Sequence, residues 1–590
     1  MKRIFLKSIC IALSATFLLT GCEQAPANTS GNASSQTSTN SLEDLVVSAP
    51  ADKVYTFADN SPVFSLEDTF YPCAIKVDLL TATEAEIYYT LDGSEPDKNA
   101  TLFEESIEFE CQKTDFPTAN VVKAKAYYAD GTESAVSVHT YFCSKGVDER
   151  FSTAIFSITA DPEVLTEGPD GIFYGENYEI RGDESEREVH VQAWDKSGAE
   201  IISQYCGIRI YGGASRESSI KSMKLIARKK YASGTGKFKT DIFGTPVADE
   251  SGEVIAKYKK LVLRNSGNDF QFAYIRDELN QNLAMQAGFS DYEGVVPAVC
   301  YLNGEYYGFF WLHENYCDDF FKEKYPNENA LGEFEILEGT DKEKYGDEDG
   351  GKQAYADEFN TLYNQFSSAD LTNDADYAAL CELVDVENYL DYFAFNIYIN
   401  NKDWPQNNFK CYRYYPAENE LLGEGVYDGR WRFLLHDLDY SYGMYEQPEV
   451  MANYNNISQI LNPNSERYAP LFAALMNRQD CRNYFSEKIN ELATGVLSYE
   501  NIIETLSKMN SSRYFEQQYY YKHIANLRDA GYGDMWSHAE HYNGYVQLIK
   551  DFAASRANYI LQYTEEALAK YETTENTEDT DNAETDEDAA

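Results

Sequence analysis

Residues 400–410 read NNKDWPQNNFK, and residues 436–443 read HDLDYSYG. The first segment follows DVENYLDYFAFNIYIN (385–400), in which Leu390, Phe393, Ala394 and Ile397 recur at helical spacing and Asp385 stands where an N-cap is expected. The helix is predicted to end near Asn400, because Pro405 disfavours helical backbone in the residue before it. Asp403 then sits on a loop that a buried helix holds in place.

Asp403 and Asn408 have the D-x-x-x-x-N spacing of a phosphotransferase catalytic loop, where Asp orients or deprotonates the acceptor hydroxyl and Asn ligates magnesium. Alone this spacing is weak, since polar turns often carry both residue types. The residues downstream of Asn408 add weight. FKCYRYYP, a Gly-rich turn and WRFLLHDLDYSYG read as a hairpin that returns the chain and delivers Asp437 and Asp439 at a strand end. Two carboxylates this close, just after buried Phe433 and Leu435, need a compensating cation. Mg²⁺ suits them, being hard and commonly held by one or two carboxylates plus phosphate oxygens. The order of loop Asp, Asn, hairpin, metal Asp and Gly443 follows the plan of a kinase, with DLDYSYG where such enzymes have DFG.

A third feature is cationic. Between Cys206 and Thr240 lie nine Lys or Arg and one acid, Glu217, in a chain whose net charge is −49. Screening over about 8 Å at physiological salt lets such an island act locally on an anion. YGGASRESS (211–219) offers glycines and the Ser215 hydroxyl, which let backbone amides approach phosphate. Arg209 precedes this turn, and the next strand places Lys221 or Lys224 against it. Strand alternation groups Lys221 with Met223 and Leu225 toward a cleft and turns Lys224 to solvent. The acidity of the whole argues against a general nucleic-acid binder.

The rest of the chain divides by composition. MKRIFLKSICIALSATFLLTGC (1–22) reads as a secretory leader, and its LTGC ending resembles a bacterial lipoprotein box with lipid on Cys22. Residues 23–47 are a polar tether without apolar content to fold. From about 48 to 145, alternating runs around Asp-Gly turns suggest a small antiparallel β-sandwich. Residues 150–570 mix strands, then helices, an α+β outline. IRDELNQNLAMQAG (275–288) is helical with Gly288 as its stop, and Asn303-Gly304 makes VVPAVCYLNGEYYGFFWLHEN (295–315) a hairpin. Residues 571–590, with nine acids and no Lys or Arg, read as a disordered tail. Excluding Cys10 and Cys22, nine cysteines remain with no CxxC, so some disulfides outside the cell are compatible with the sequence but no framework is implied. No zinc site stands out, since the HAEH pair His538 and His541 lacks a third ligand nearby.

YYTLDGSEPD (88–97) with KAKAYYADGTESAV (123–136) resembles the immunoglobulin-like module beside chitobiase and hexosaminidase catalytic domains. That likeness implies a module that spaces or binds, and no catalytic role comes with it. GIRIYGGASRESSIKSMKL (207–225), LVLRNSGNDFQFAYIRDEL (261–279), VCYLNGEYYGFFWLHENY (299–316), NNKDWPQNNFKCYRY (400–414) and WRFLLHDLDYSYG (431–443) together resemble the CotH family, the spore-coat type of atypical kinase-like proteins. The resemblance implies a divergent bilobal protein-kinase fold that uses ATP and Mg²⁺ (or Mn²⁺) to phosphorylate Ser or Thr of surface proteins. Carried over by motif, Asp403 is the catalytic Asp, Asn408 and Asp437 are magnesium ligands, Asp439 is a second acidic partner and Lys221 is the phosphate-binding Lys. Glu314 falls where the family keeps an acid near the nucleotide, and Glu278 is the candidate helix Glu that pairs with Lys. The sequence departs from the family at YGGAS, where an Arg-Gly-Asn-Ser-Ser type turn is common. The expected setting is the extracellular face of the membrane, anchored by lipid. Two other readings stand beside it: a catalytically silent adhesin or scaffold that binds polysaccharide through the sandwich, and a glycoside hydrolase suggested only by the module's company.

Overall fold

Alternating apolar residues between positions 154 and 313 form seven strands that close on themselves. In chain order they are β1 (Ala154–Thr159), β2 (Arg187–Trp194), β3 (Glu200–Ile210), β4 (Met223–Ile226), β5 (Lys260–Arg264), β6 (Val295–Leu302) and β7 (Glu305–His313). Around the barrel the order is β1-β2-β3-β4-β5-β7-β6, with β6 returning to β1 as its one parallel pairing. The computed structural model describes residues 45–114, 116–244, 246–338, 353–529 and 539–584; the leader, Cys22 and the tether up to residue 44 lie outside them.

Closure decides where side chains point. Met223, Leu225, Leu261 and Leu263 belong to the buried core. Their alternates on β4 and β5, Lys224, Val262 and Arg264, lie on the outer face, because successive residues of a strand point to opposite sides. The register sets Arg209 beside Lys224, Lys224 beside Val262 and Val262 beside His313 in one row. Against that outer face packs helix α1 (Arg276–Gln286), which buries Leu279, Leu283 and Ala284 but also Asp277, Glu278, Asn280 and Gln281. A helix polar and buried on the same side marks a site that satisfies those groups internally. Gly288 ends the helical segment with φ 84°, and Asn303 (φ 45°) with Gly304 (φ 86°) forms the expected tight turn between β6 and β7.

Beyond the barrel, β8 (Glu333–Glu338), β9 (Lys410–Tyr415) and β10 (Arg432–Leu434) form a small antiparallel sheet. The helix α2 (Val386–Ile399) lies on it, with Asp385 capping the N-terminus by accepting from the Asn388 N–H at 3.2 Å. The helices α3 (Gln479–Thr494) and α5 (Ala539–Glu584) pack against α2, whereas α4 (Tyr499–Asp529) packs on α1 and on β6 and β7 of the barrel. Arg556 on α5, itself buried, donates to the Ile397 and Tyr398 carbonyls at 2.7 and 2.8 Å. It thereby satisfies the Tyr398 carbonyl at the end of α2 and adds a second donor to that of Ile397, which also accepts from the Asn400 N–H.

The mixed α+β outline agrees with the sequence reading, but its sheet-rich half is a seven-stranded closed barrel, which the expectation of a bilobal domain did not include. The N-terminal module has five-stranded and three-stranded sheets around Ile75, Val77, Val122 and Tyr141. It is not wholly antiparallel: Val46–Val47 pairs in parallel with Ala74–Ile75, so two residues assigned to the tether belong to a sheet. The module is seated on the barrel, with Phe142 edge-on to Tyr301 at 5.0 Å and Thr140 donating to Gln192 at 2.9 Å. At the other end, α5 continues to Glu584, through most of the segment read as a disordered tail. Extending a helix that is already packed needs no new nucleus, which lets it run on through a Thr-, Asp- and Asn-rich stretch of weak intrinsic propensity. All nine cysteines of the described residues are free thiols. No helix among the described residues is long and apolar enough to cross a membrane.

Candidate functional site

The loop after α2 is held from several directions. Asn400 leaves the helix in the left-handed conformation (φ 54°) that commonly ends helices. Arg467 donates to the carbonyls of Asn401 (2.6 Å) and Trp404 (3.0 Å), and the buried Trp404 indole donates to the Tyr392 hydroxyl at 2.6 Å. On this frame Asp403 is half-buried. Its two carboxylate oxygens accept from the side-chain amides of Asn407 (2.8 Å) and Asn408 (3.1 Å), which fixes the plane of the carboxylate. With the Asn408 nitrogen committed to Asp403, its amide oxygen is the atom left for a cation.

The second loop starts at the same end of the small sheet. Because β9 begins at Lys410 opposite Leu434, the residues before β9 and those after β10 leave that sheet together. The Lys402 N–H donates to the Tyr440 carbonyl at 2.9 Å, stitching the Asp403 loop to the Asp437–Asp439 loop. From the helix side, Asp277 accepts from the Leu438 N–H at 3.1 Å, while Asn280 and Gln281 donate to the carbonyls of Leu438 (3.1 Å) and Leu435 (3.2 Å). The polar face of α1 therefore grips the backbone that presents the two carboxylates.

The cation that meets these acids is Arg264, at the end of β5. Its Nη2 pairs with Asp437 and reaches Asp439 at 3.3 Å, and its Nε lies 3.2 Å from Asp277. Burial works against charge on Arg264, but Asp437, Asp277 and Asp439 together hold it protonated. Burial also raises Asp437, where Arg264 outweighs it and keeps the carboxylate ionised; Asp439, buried and beside Asp437, is driven well above the usual range. Asn268 donates to Asp439 through its backbone (2.7 Å) and its amide (3.2 Å). Gly267 is required here: at φ 57°, a Cβ would stand 2.3 Å from an Asp439 oxygen. Three acids share one guanidinium, and the upward shift of Asp439 is the consequence of that crowding. Asp437, Asp439 and Asn408 offer hard oxygen donors, the type that a divalent cation such as Mg²⁺ takes.

The cationic island is arranged differently from the expectation. Lys221, predicted to point into the cleft, hooks back to the carbonyls of Arg216 (2.5 Å) and Ser218 (3.1 Å) and lies 3.8 Å above the Tyr178 ring. Lys224, predicted to face solvent, is buried on the outer barrel face that carries Arg264, with its ammonium 4.8 Å above the Tyr211 ring. Lys221 precedes β4, so strand alternation does not govern it; on the strand itself the face of Met223 and Leu225 is the interior of a closed barrel, which turns Lys224 to the outer face. Ser215 lies in the turn 214–217, which packs on the turn 267–271 that holds Asp439. The glycine turn is thus at the mouth of the site, and a Cβ on Gly212 would clash with the Ser215 hydroxyl at 2.3 Å.

Arg209 is turned away to Glu186, which it contacts through Nε (3.1 Å) and Nη2 (2.8 Å). Arg228, Lys230 and the Tyr231 hydroxyl share that carboxylate. Burial would raise Glu186, but these partners hold it down from 4.5 to about 2. A depressed carboxylate contributes stability above its unfolded pKa and loses it as pH falls through the folded one. Urea titrations are therefore expected to show stability falling between about pH 4.5 and 2 through this group, a component that Glu186→Gln removes.

Glu314 does not join the acids. His313 faces α1, and the next residue turns the other way, into a small pocket with Lys257, Lys259 and Asp319. Its carboxyl accepts from the Gly294 N–H at 2.8 Å and is pushed up to about 7, chiefly by burial. Glu278, nominated as a lysine partner, instead meets His313 Nε2 at 3.2 Å. His313 Nδ1 continues to Glu293 at 3.3 Å, and His436 stands 3.7 Å beyond. Burial would lower His313, but the two glutamates raise it to about 9. The sequence reading missed Arg264, Asp277, Glu293, His313 and His436. One signal was present: LVLR (261–264) ends an apolar strand on a cation just as RFLLHD (432–437) ends one on an acid.

A family model described as CotH kinase protein matches residues 208–560, a span that includes Arg264, Asp403, Asn408, Asp437 and Asp439. A second, described as Fn3 associated, matches residues 77–141 within the N-terminal module. No curated protein matches the chain.

Proposed function

From the premise that this chain belongs to the CotH kinase protein family, we propose that it transfers the γ-phosphate of ATP to Ser or Thr hydroxyls of surface proteins. The observation that carries the proposal is the stitching of the Asp403 loop to the Asp437–Asp439 loop beneath Arg264. Under this reading the fold is a divergent kinase whose barrel covers the nucleotide and whose helical half presents the acceptor. Asp403 accepts the hydrogen bond of the acceptor hydroxyl and takes its proton. Asn407 and Asn408 hold its carboxylate in the plane that this requires. Asn408, Asp437 and Asp439 would hold Mg²⁺ or Mn²⁺, which supplies charge neutralisation for the phosphates when bound. Arg264 and Lys224 add fixed positive charge on the barrel side, and the glycine turn at 212–215 supplies backbone amides. Rate enhancement then comes from positioning and electrostatics.

The leader and the LTGC ending, both outside the described residues, support export and a lipid anchor on Cys22, with protein acceptors at the extracellular face of the membrane. The N-terminal module, fixed to the barrel, would hold the domain against the envelope through polysaccharide.

One observation favours a second reading. The Arg264 guanidinium engages oxygens of Asp437 and Asp439 that a metal would need, as a silent surface-binding protein could keep them. The experiment is incubation of the purified ectodomain with γ-labelled ATP, Mg²⁺ or Mn²⁺ and the cell-surface fraction, together with thermal unfolding. Metal-dependent label on protein, and stabilisation of about 2.7 kcal/mol at a hundredfold excess over Kd, support transfer. Stabilisation without label supports the silent reading, and neither effect overturns nucleotide binding altogether.

A further inference from the structure

Behind the carboxylates of the Asp437 loop lies a second polar cluster that shares only Asp277 with the Arg264 cluster. Asp277 and Glu278 come from α1, Glu293 from the segment before β6, His313 from the end of β7 and His436 from the residue after Leu435. All are at least nine-tenths buried. Ligand atoms of Asp277, Glu293 and His313 lie within 4.8 Å of one another. His313 Nδ1 and Glu293 Oε2 are 3.3 Å apart. That is about the separation of two donors on one tetrahedral ion with bonds of about 2 Å.

Two further facts concern what the cluster lacks. His436 Nδ1 is buried with no hydrogen-bond partner and stands 3.7 Å from Glu293 Oε1. On the far side of the ring, His313 Nε2 meets Glu278 Oε1 at 3.2 Å, and Ser266 donates to that same oxygen at 2.9 Å. A metal-bound histidine characteristically gives its other nitrogen to a carboxylate, which fixes the tautomer and the ring plane. The arrangement has that order: a carboxylate, an imidazole, then converging oxygen donors.

We propose that Asp277, Glu293 and His313 form a three-donor site for a divalent transition-metal ion of the zinc type, with the unpartnered His436 Nδ1 standing beside it at the second oxygen of Glu293. One imidazole and two carboxylates, with a position left for an exogenous donor, suit such an ion, whereas the oxygen-only set at Asp437 and Asp439 suits Mg²⁺. Glu278 orients His313 without binding the metal. The ion would join α1, the segment before β6 and the end of β7, and Asp277, which accepts from the Leu438 N–H, would carry its effect to the Asp437 loop. The His538 and His541 pair takes no part: His538 lies outside the described residues, and His541 Nε2 contacts the Gln271 carbonyl at 2.7 Å. The proposal does not rest on phosphate transfer, since a catalytically silent protein would hold the same ion.

The test is metal content of the full chain after equilibration with Zn²⁺ and dialysis against metal-free buffer, measured by inductively coupled plasma mass spectrometry. Retention of a single zinc ion is expected, unaffected by Mg²⁺ or ATP and kept by Asp437→Asn. Glu278→Gln is expected to weaken it about 10–100-fold, and His313→Gln to abolish it. Should His313→Gln fail to fold, Co²⁺ loading of the parent chain replaces it, with visible absorption of tetrahedral type expected and bleached by Zn²⁺. A chain that keeps no ion and gives only the spectrum of aqueous Co²⁺ overturns the site and leaves His313 as an imidazolium between two glutamates. Loss of the ion in Asp437→Asn with retention in His313→Gln overturns it equally, placing the metal at the outer acids.

Discussion

Phosphate transfer by Asp403→Ala is expected to fall about 10²–10⁴-fold, the range in which a positioned proton acceptor contributes. Nucleotide affinity is expected to change little. The separation has a geometric cause. Asp403 stands on the loop after α2, with both oxygens engaged by Asn407 and Asn408, whereas Asp437 and Asp439 belong to the neighbouring loop and to Arg264. Removing Asp403 takes away the group that orders the acceptor hydroxyl and leaves the charges assigned to the nucleotide in place. Asp403→Asn refines the measurement, because it keeps the side-chain volume while exchanging a carboxylate that can take a proton for an amide that cannot. Label transfer gives the rate, and a thermal shift with ATP and Mg²⁺ gives the affinity. Equal loss of both would show that Asp403 supports the loop and does not act on the acceptor.

Arg264→Met is expected to destabilise the protein by about 3–5 kcal/mol, the usual consequence of removing one partner from a buried charge cluster. Asp277 and Asp439 are almost wholly buried, and Asp437 is only about one quarter exposed at its side chain. Without the guanidinium their mutual repulsion is uncompensated. Lysine is not an adequate replacement, since the arginine fork reaches Asp277 through Nε and the other two acids through Nη2. The pH dependence checks the cause. In Arg264→Met the unpaired acids have folded pKa values above their unfolded ones, so the stability defect shrinks as pH falls and they protonate. Asp439→Asn in the same background is expected to restore part of the loss. Urea denaturation of the four combinations at neutral and mildly acidic pH makes the comparison. A loss independent of pH and of Asp439 would assign it to packing alone.

Local pattern carried several elements directly. The apolar stripe of α2 with Asp385 as its cap, the helix before Gly288 and the Asn303-Gly304 turn come from periodicity and turn chemistry, which act within a few residues. The two acid-bearing loops were legible for the same reason: an apolar strand or helix that stops abruptly on carboxylates is visible without knowing its neighbours. Arg209 and Glu314 show the limit. Each has the right residue type in the right stretch, yet Arg209 is held by Glu186, from a distant segment, and Glu314 by Gly294.

By itself the sequence determined the α+β outline, the family, and the placing of Asp403, Asn408, Asp437 and Asp439 on two loops at hairpin and helix ends. Only the tertiary structure decided which cation meets them. Strand alternation defines two faces but does not say which is inside, and closure of the barrel put Met223 and Leu225 within and Lys224 and Arg264 without. The cluster of Asp277, Glu293, His313 and His436 is assembled from four separate segments, so no spacing in the chain announces it. Burial makes the difference: in water these charges would be indifferent to one another, and in a low-dielectric interior each must find a partner wherever the fold has brought one.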